Sequence, residues 1–236
     1  MPDEYFQSPR FVTIGDLEEK QIFFDTKKFR DRCHGDVPKC DVIIKGRVTR
    51  SRKGCDHTYI YESEDGYMTL KAKKHFMKYK IYRNDYCIAE LHSNIFGSHY
   101  RFYLHECENL IINYKFGLCR SKGPREFEII YLAKKFNGHL IEYWKEDYSN
   151  RFKVLTNRKP LYSAETNSFV LNFNGRVTMP SVKNFQIVHP MELSSVTLTF
   201  GKIDKDSFVL DYGHPWSPIR AFGIALTALD FKVGCE

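Results

Sequence analysis

From residue 41 onward, apolar and polar positions alternate in short runs separated by turn residues, a period of two that predicts strands. Val42, Ile44, Gly46 and Val48 alternate with Lys45, Arg47 and Thr49, and the run ends on Arg50, Ser51, Arg52, Lys53 and Gly54, which reads as a basic turn. Runs 57–63 and 67–72 flank Glu64, Asp65 and Gly66, where Asp-Gly supplies the positive φ angles of a tight hairpin. Runs 78–83 and 86–93 flank Asn84 and Asp85 and predict a second hairpin. In its later strand Cys87, Ala89, Leu91 and Ser93 form one face, and Tyr86, Ile88, Glu90 and His92 the other. With a three-residue loop, Asn84 to Tyr86, Arg83 pairs with Cys87, Lys80 stands opposite Glu90, and Lys78 opposite His92. Glu90 is then expected to neutralise Lys80.

Further strands are predicted at 99–105, 127–132, 168–173, 183–188, 196–200 and 208–212, with turns at Asn174-Gly175 and Gly201-Lys202. Short strands at this spacing suggest a sandwich or a barrel. Residues 1–40 are different: Leu17, Phe23, Phe24 and Phe29 fit neither period, so this stretch reads as a covering segment before a single domain, 41–236.

The alternation breaks once. After Pro215 and Pro218, residues 219–230 read IRAFGIALTALD, long enough for three helical turns and apolar on nearly every side. A helix apolar all round must be buried all round. Either the sheet wraps around it as a barrel or it packs against one sheet face; the pattern alone permits both.

Composition sharpens the class. Nineteen Phe and fifteen Tyr in 236 residues favour strands and supply a large core. The formal charge of +7 favours anionic partners. Seven cysteines, odd in number and never spaced CxxC, with no secretory leader pattern, read as reduced thiols in an intracellular protein. No run of eighteen apolar residues is present, so any meeting with a membrane is expected to be peripheral.

Two long motifs then carry a resemblance. Residues 168–189, SFVLNFNGRVTMPSVKNFQIVH, look like the tubby signature, and Ala221 to Leu226 through Cys235-Glu236 is similar to that family's ending. KGRVTRSRKG at 45–54, Glu90 to Asn94 with Gly97, and Lys122-Gly123-Pro124-Arg125 resemble its first basic strand, central hairpin and basic turn. The tubby-like resemblance covers about residue 40 to the end. It implies a mainly β fold, a closed antiparallel barrel of about twelve strands wrapped around the buried hydrophobic C-terminal helix. It also implies a non-enzymatic module or adaptor that recognises phosphoinositides, chiefly phosphatidylinositol 4,5-bisphosphate, with a protein cargo or trafficking partner, a peripheral place at the cytoplasmic membrane face, and ciliary association left open. The family's pocket Lys and Arg fall here at Glu90 and His92, its turn Arg at Arg125 beside Lys122, and a pocket Asn aligns with Lys78. The lipid-binding set is therefore Arg125, Lys122, Lys78, Lys80 and His92, with Glu90 reversing a charge and the shortened stretch from Glu106 to Asn109 altering nearby walls. Lipid binding is expected to be weakened or altered; a scaffold that has lost specific phosphoinositide binding is the alternative.

Each residue also has a plainer reading. Arg125 could be a solvated turn charge, and Lys71, Lys73, Lys74, Lys78 and Lys80 an ordinary hydrophilic surface. Arg47, Arg50, Arg52 and Lys53 could track nucleic acid, but no recognition-motif or zinc-finger spacing accompanies them. Cys33, His34, Cys40, His105 and Cys107 lack the spacing of a four-ligand metal site. Asp230, at the unfavourable end of the helix for a negative charge, is expected to have a local donor or solvent. No local nucleophile, base and metal constellation marks an enzyme, no cofactor is implied, and a monomer is the expected state.

Overall fold

A computed structural model describes residues 42–54, 56–115, 125–132, 152–165, 168–189 and 192–230. All of these belong to the unit Asp41–Glu236; the proposed covering segment, 1–40, lies outside the described residues. The strands are β1 (Gly46–Lys53), β2 (Asp56–Ser63), β3 (Thr69–His75), β4 (Lys78–Arg83), β5 (Tyr86–Ser93), β6 (His99–Leu104), β7 (Cys107–Lys115), β8 (Glu126–Leu132), β9 (Phe152–Asn157), β10 (Leu161–Ser163), β11 (Ser168–Val170), β12 (Phe185–His189), β13 (Glu192–Asp204) and β14 (Ser207–Tyr212). Among the described residues a helix follows, α1 (Pro218–Leu229).

Twelve strands close into an antiparallel barrel in the order β1-β14-β13-β12-β9-β8-β7-β6-β5-β4-β3-β2, and β10 pairs with β11 as a separate ribbon. Closure comes from β1 against β14, with Arg47, Val48 and Thr49 opposite Val209, Phe208 and Ser207. It leaves the barrel without the open edges of a flat sheet.

The helix fills the interior. Ser217 caps its start, its Oγ accepting from the Arg220 N–H, and Pro218 occupies the first turn, where no donor is needed. Every residue from Pro218 to Leu229 except Arg220 is buried. Contacts arrive from several directions: Tyr61 of β2 packs its ring 5.9 Å from Phe222, and Tyr114 of β7 lies 2.9 Å from the Thr227 hydroxyl. A Cβ on Gly223 would sit 2.5 Å from the Phe102 ring of β6, so glycine is what admits that close approach. This settles the choice left open by the apolar run.

Several local expectations need correction. The stretch from Arg50 to Lys53 is no turn: it continues β1, and the chain reverses at Gly54, φ 58°. Strand β1 begins only at Gly46, with Ile44 joined to Tyr212 by an isolated bridge. Gly201 lies inside β13 opposite Val209; it is small there because a Cβ would meet Val177 at 2.2 Å. The 168–173 run forms only the short ribbon strand β11. The β6–β7 turn is His105-Glu106, both at positive φ, so Glu108 and Asn109 belong to β7.

In the β4–β5 hairpin the loop has two residues, Asn84 and Asp85 at φ 48° and 67°, and Arg83 pairs with Tyr86. A one-residue bulge at Ile88 then restores the expected register, Lys80 opposite Glu90 and Lys78 opposite His92. It also breaks the face assignment, because Ile88 and Ala89 are both buried while Cys87 is exposed.

Candidate functional site

Strands β3, β5 and β7 finish, and β4, β6 and β8 begin, at the end of the barrel where α1 terminates. Asp230, the helix C-cap, is buried there and accepts from Lys74 Nζ at 2.5 Å, Tyr79 Oη at 2.8 Å and Tyr100 Oη at 3.0 Å. Lys74 reaches it because β3 turns Leu70, Ala72 and Lys74 inward. Burial first, and the Asp230 charge second, push both tyrosines well above the ordinary phenol value, which keeps them as donors. Arg125 Nη1 donates to the Ala228 carbonyl at 3.0 Å, so a cation sits where the helix dipole is negative. Asn157 fixes the approach to β8, donating to the Arg125 carbonyl at 2.9 Å and accepting from Phe127 N–H at 2.8 Å.

Outside the same end, β3 to β6 present a polar face. Lys71 and Lys73 project from β3 on the side opposite the buried Leu70 and Ala72. Lys73 stands directly opposite Lys80, and Lys80 opposite Glu90. Glu90 Oε2 accepts from Lys78 Nζ at 2.9 Å and lies 2.8 Å from His92 Nε2. Partial burial alone would raise the Glu90 carboxyl; hydrogen bonds to His92 and Lys78 outweigh it and leave the group below its ordinary value. The His92 ring packs 4.8 Å from Tyr103, and Arg101 lies over Tyr103 while bonding Glu108. Lys71, Lys73 and Lys80 make no ion pair with a described residue. The face therefore holds one neutralised cluster, centred on Glu90, beside three lysines without an ion pair among the described residues.

A family model described as the Tub family matches residues 93–231, more than half of the chain. The chain belongs to the Tub family. It is 33% identical over 183 residues to Tubby protein homolog 1 of Caenorhabditis briggsae, covering 64% of this chain and 42% of that protein. It is 27% identical to human Tubby-related protein 3, covering 90% of this chain and 59% of the relative. It is 29% identical to Protein king tubby 2 of Culex quinquefasciatus, covering 83% and 56%. The chain thus spans about half the length of these curated relatives.

In this Tub-family barrel the sequence-derived residues divide into separate groups. Lys78, Lys80, Glu90 and His92 meet on the outer face of β4 and β5, as the register required. Glu90, however, holds Lys78, its diagonal neighbour, and not Lys80; the lysine stem is long enough to span the diagonal. Arg125 lies at the same barrel end but at the start of β8, three strand positions from β5, with one guanidinium nitrogen on the helix carbonyl. Lys122 lies outside the described residues. Arg101 and Tyr103 complete the cluster; nothing in their run distinguishes them from ordinary exposed strand positions. Asp230 has three protein donors where one local donor or solvent was expected, and Lys74, read as surface, carries its charge indoors. The inward parity of Leu70 and Ala72 was the available signal.

Proposed function

We propose that this Tub-family chain is a non-enzymatic, monomeric module that engages anionic phospholipid headgroups from the cytoplasmic side of a membrane through the outer face of β3 to β5. The observation that carries the proposal is the directly opposed pair Lys73 and Lys80, with Lys71 on the same face. Like charges opposite each other on neighbouring strands destabilise a sheet, and a multivalent anion or an anionic leaflet relieves that repulsion. Glu90 consumes the charge of Lys78 and engages His92 at the positions where the family resemblance implies a Lys and an Arg. Binding is accordingly weak, salt-sensitive and little biased toward the 4,5-bisphosphate, with Arg125 contributing chiefly at the helix end.

The test is vesicle sedimentation at low salt. Each basic residue near an anionic surface contributes about 1 kcal/mol, so Lys73→Ala with Lys80→Ala lowers partitioning about 30-fold. Glu90→Lys with His92→Arg brings selective gain for vesicles carrying the 4,5-bisphosphate. Absence of wild-type binding to anionic vesicles, or tight bisphosphate-selective wild-type binding, refutes this reading.

A second reading, a protein-interaction scaffold, rests on a groove of about 780 Å³ whose lining includes Leu161, Val170, Leu193 and Val196 together with Lys115 and Arg158. Leu161→Asp that abolishes partner capture while leaving vesicle binding intact favours it.

A further inference from the structure

Three large apolar side chains stand in water at neighbouring hairpin tips, at the barrel end where the helix finishes. Phe76, in the β3–β4 turn, is 84% exposed, and Ile95 and Phe96, in the β5–β6 turn, are 76% and 60% exposed. The two turns are tied together: Ser93 donates to the Met77 carbonyl through its backbone N–H at 2.8 Å and its hydroxyl at 3.1 Å. The second turn is also braced from within. Asn94 Oδ1 accepts from the Ser98 and His99 N–H groups at 2.8 and 3.2 Å, and the Gly97 N–H donates to the Asn94 carbonyl at 3.1 Å. Ile95 and Phe96 are thereby held outward on a firm turn.

Phe76 adds an independent sign. Its φ is 51°, in the left-handed region where a bulky aromatic is an outlier and glycine the natural occupant. The chain thus carries local backbone strain at a position whose side chain packs on little of the fold. Strain of this kind is retained where a surface has a use for the side chain. Lys73 lies three residues before Phe76 on β3, and Lys80 stands opposite Lys73 on β4.

We infer that Phe76, Ile95 and Phe96 form an apolar wedge that enters the boundary between headgroups and acyl chains of an anionic lipid bilayer while the adjacent lysines meet its phosphates. The inference rests on the anionic-surface reading above for the identity of that surface. Apolar area buried in the interface and basic residues at its rim together set the binding strength of peripheral elements. The two contributions separate by salt: at about 1 M the screening length falls to about 3 Å, so lysine attraction fades and wedge insertion persists.

The experiment compares wild type, the triple variant Phe76→Gly, Ile95→Ser, Phe96→Ser, and the double variant Lys73→Ala, Lys80→Ala on phosphatidylserine vesicles at low and high salt. The triple variant loses about 100-fold in partitioning at both salt levels, whereas the lysine variant loses mainly at low salt. Phe76→Gly alone melts at or above the wild-type temperature, because glycine accepts the turn's φ, so its lost binding is not unfolding. Phe96→Trp gains fluorescence quenching by acyl-brominated lipid over the wild-type background. A triple variant that binds like wild type while the lysine variant weakens overturns the wedge and leaves the anionic face standing. A lysine variant that binds like wild type while the triple variant fails supports the wedge and overturns the anionic face. No wild-type vesicle binding overturns both. Self-association abolished by the triple variant with vesicle binding unchanged identifies a second copy as the occupant and overturns the inference.

Discussion

Replacing Asp230 by alanine removes the acceptor shared by Lys74, Tyr79 and Tyr100 at the inner end of the helix. The two tyrosines are fully buried, so each hydroxyl loses its partner without access to water, at about 1–3 kcal/mol apiece. The Lys74 side chain, 22% exposed against 5% for Asp230, can turn partly to solvent and costs less. The expected loss is about 3–5 kcal/mol, in line with breaking a buried ion pair from one side. Lys74→Met leaves Asp230 with both tyrosine donors and costs about 2 kcal/mol. The double variant should cost less than the sum of the two, by a coupling of about 1–3 kcal/mol. Urea unfolding followed by the near-ultraviolet signal of the buried aromatics measures all three. An Asp230→Ala loss below about 1 kcal/mol with an unchanged denaturant slope would show that the cap network contributes little.

Leu226→Asp buries an unpaired carboxylate at a fully buried position of α1 and should yield no soluble folded protein, because the cost of several kcal/mol rivals the stability of a domain; a variant with wild-type circular dichroism and melting refutes the filled barrel. Glu90 titrates below its ordinary value of 4.5 in the folded protein. Its contribution is therefore complete above that value and lost as pH falls through the lower, folded one. Glu90→Gln should be less stable than wild type at pH 7, by about 0–1 kcal/mol, and converge with it in acid; a difference that persists unchanged in urea titrations at low pH argues against the depression.

What could be read from the chain alone followed the strength of local patterns. The uniformly apolar run after Pro218 announced a buried helix because no other environment satisfies it. The β4–β5 pairing was obtained through a wrong loop: a two-residue turn plus the Ile88 bulge displaces the strand by the same amount as a three-residue turn. Strand β7 stayed hidden because Leu110, Ile111 and Ile112 are all buried, which erases the alternation on which strand recognition depends. Arg125 looked like a presented turn charge because the carbonyl it meets, Ala228, is 103 residues away in the chain. The choice of Lys78 over Lys80 by Glu90 depends on side-chain reach across a diagonal, which pairing alone does not fix. The strain at Phe76 has no sequence signal, because it exists only as a backbone angle.

The position of α1 in the chain has a consequence for synthesis. The helix that fills the barrel comes after all twelve strands that surround it. Tyr61 and its hydroxyl partner Tyr212 are 151 residues apart, and at about 5–20 residues per second the ribosome takes roughly 8–30 s to deliver the second after the first. Until it arrives, β1 lacks the β14 it closes against, and the early hairpins lack the filler of their interior. A nascent chain in this state shows unpaired strand edges and a greasy concave surface, the features that attract holding chaperones and promote aggregation. The same topology makes folding dominated by long-range contacts and therefore slow. A ribosomal stall before residue 218 would release a set of hairpins with no centre.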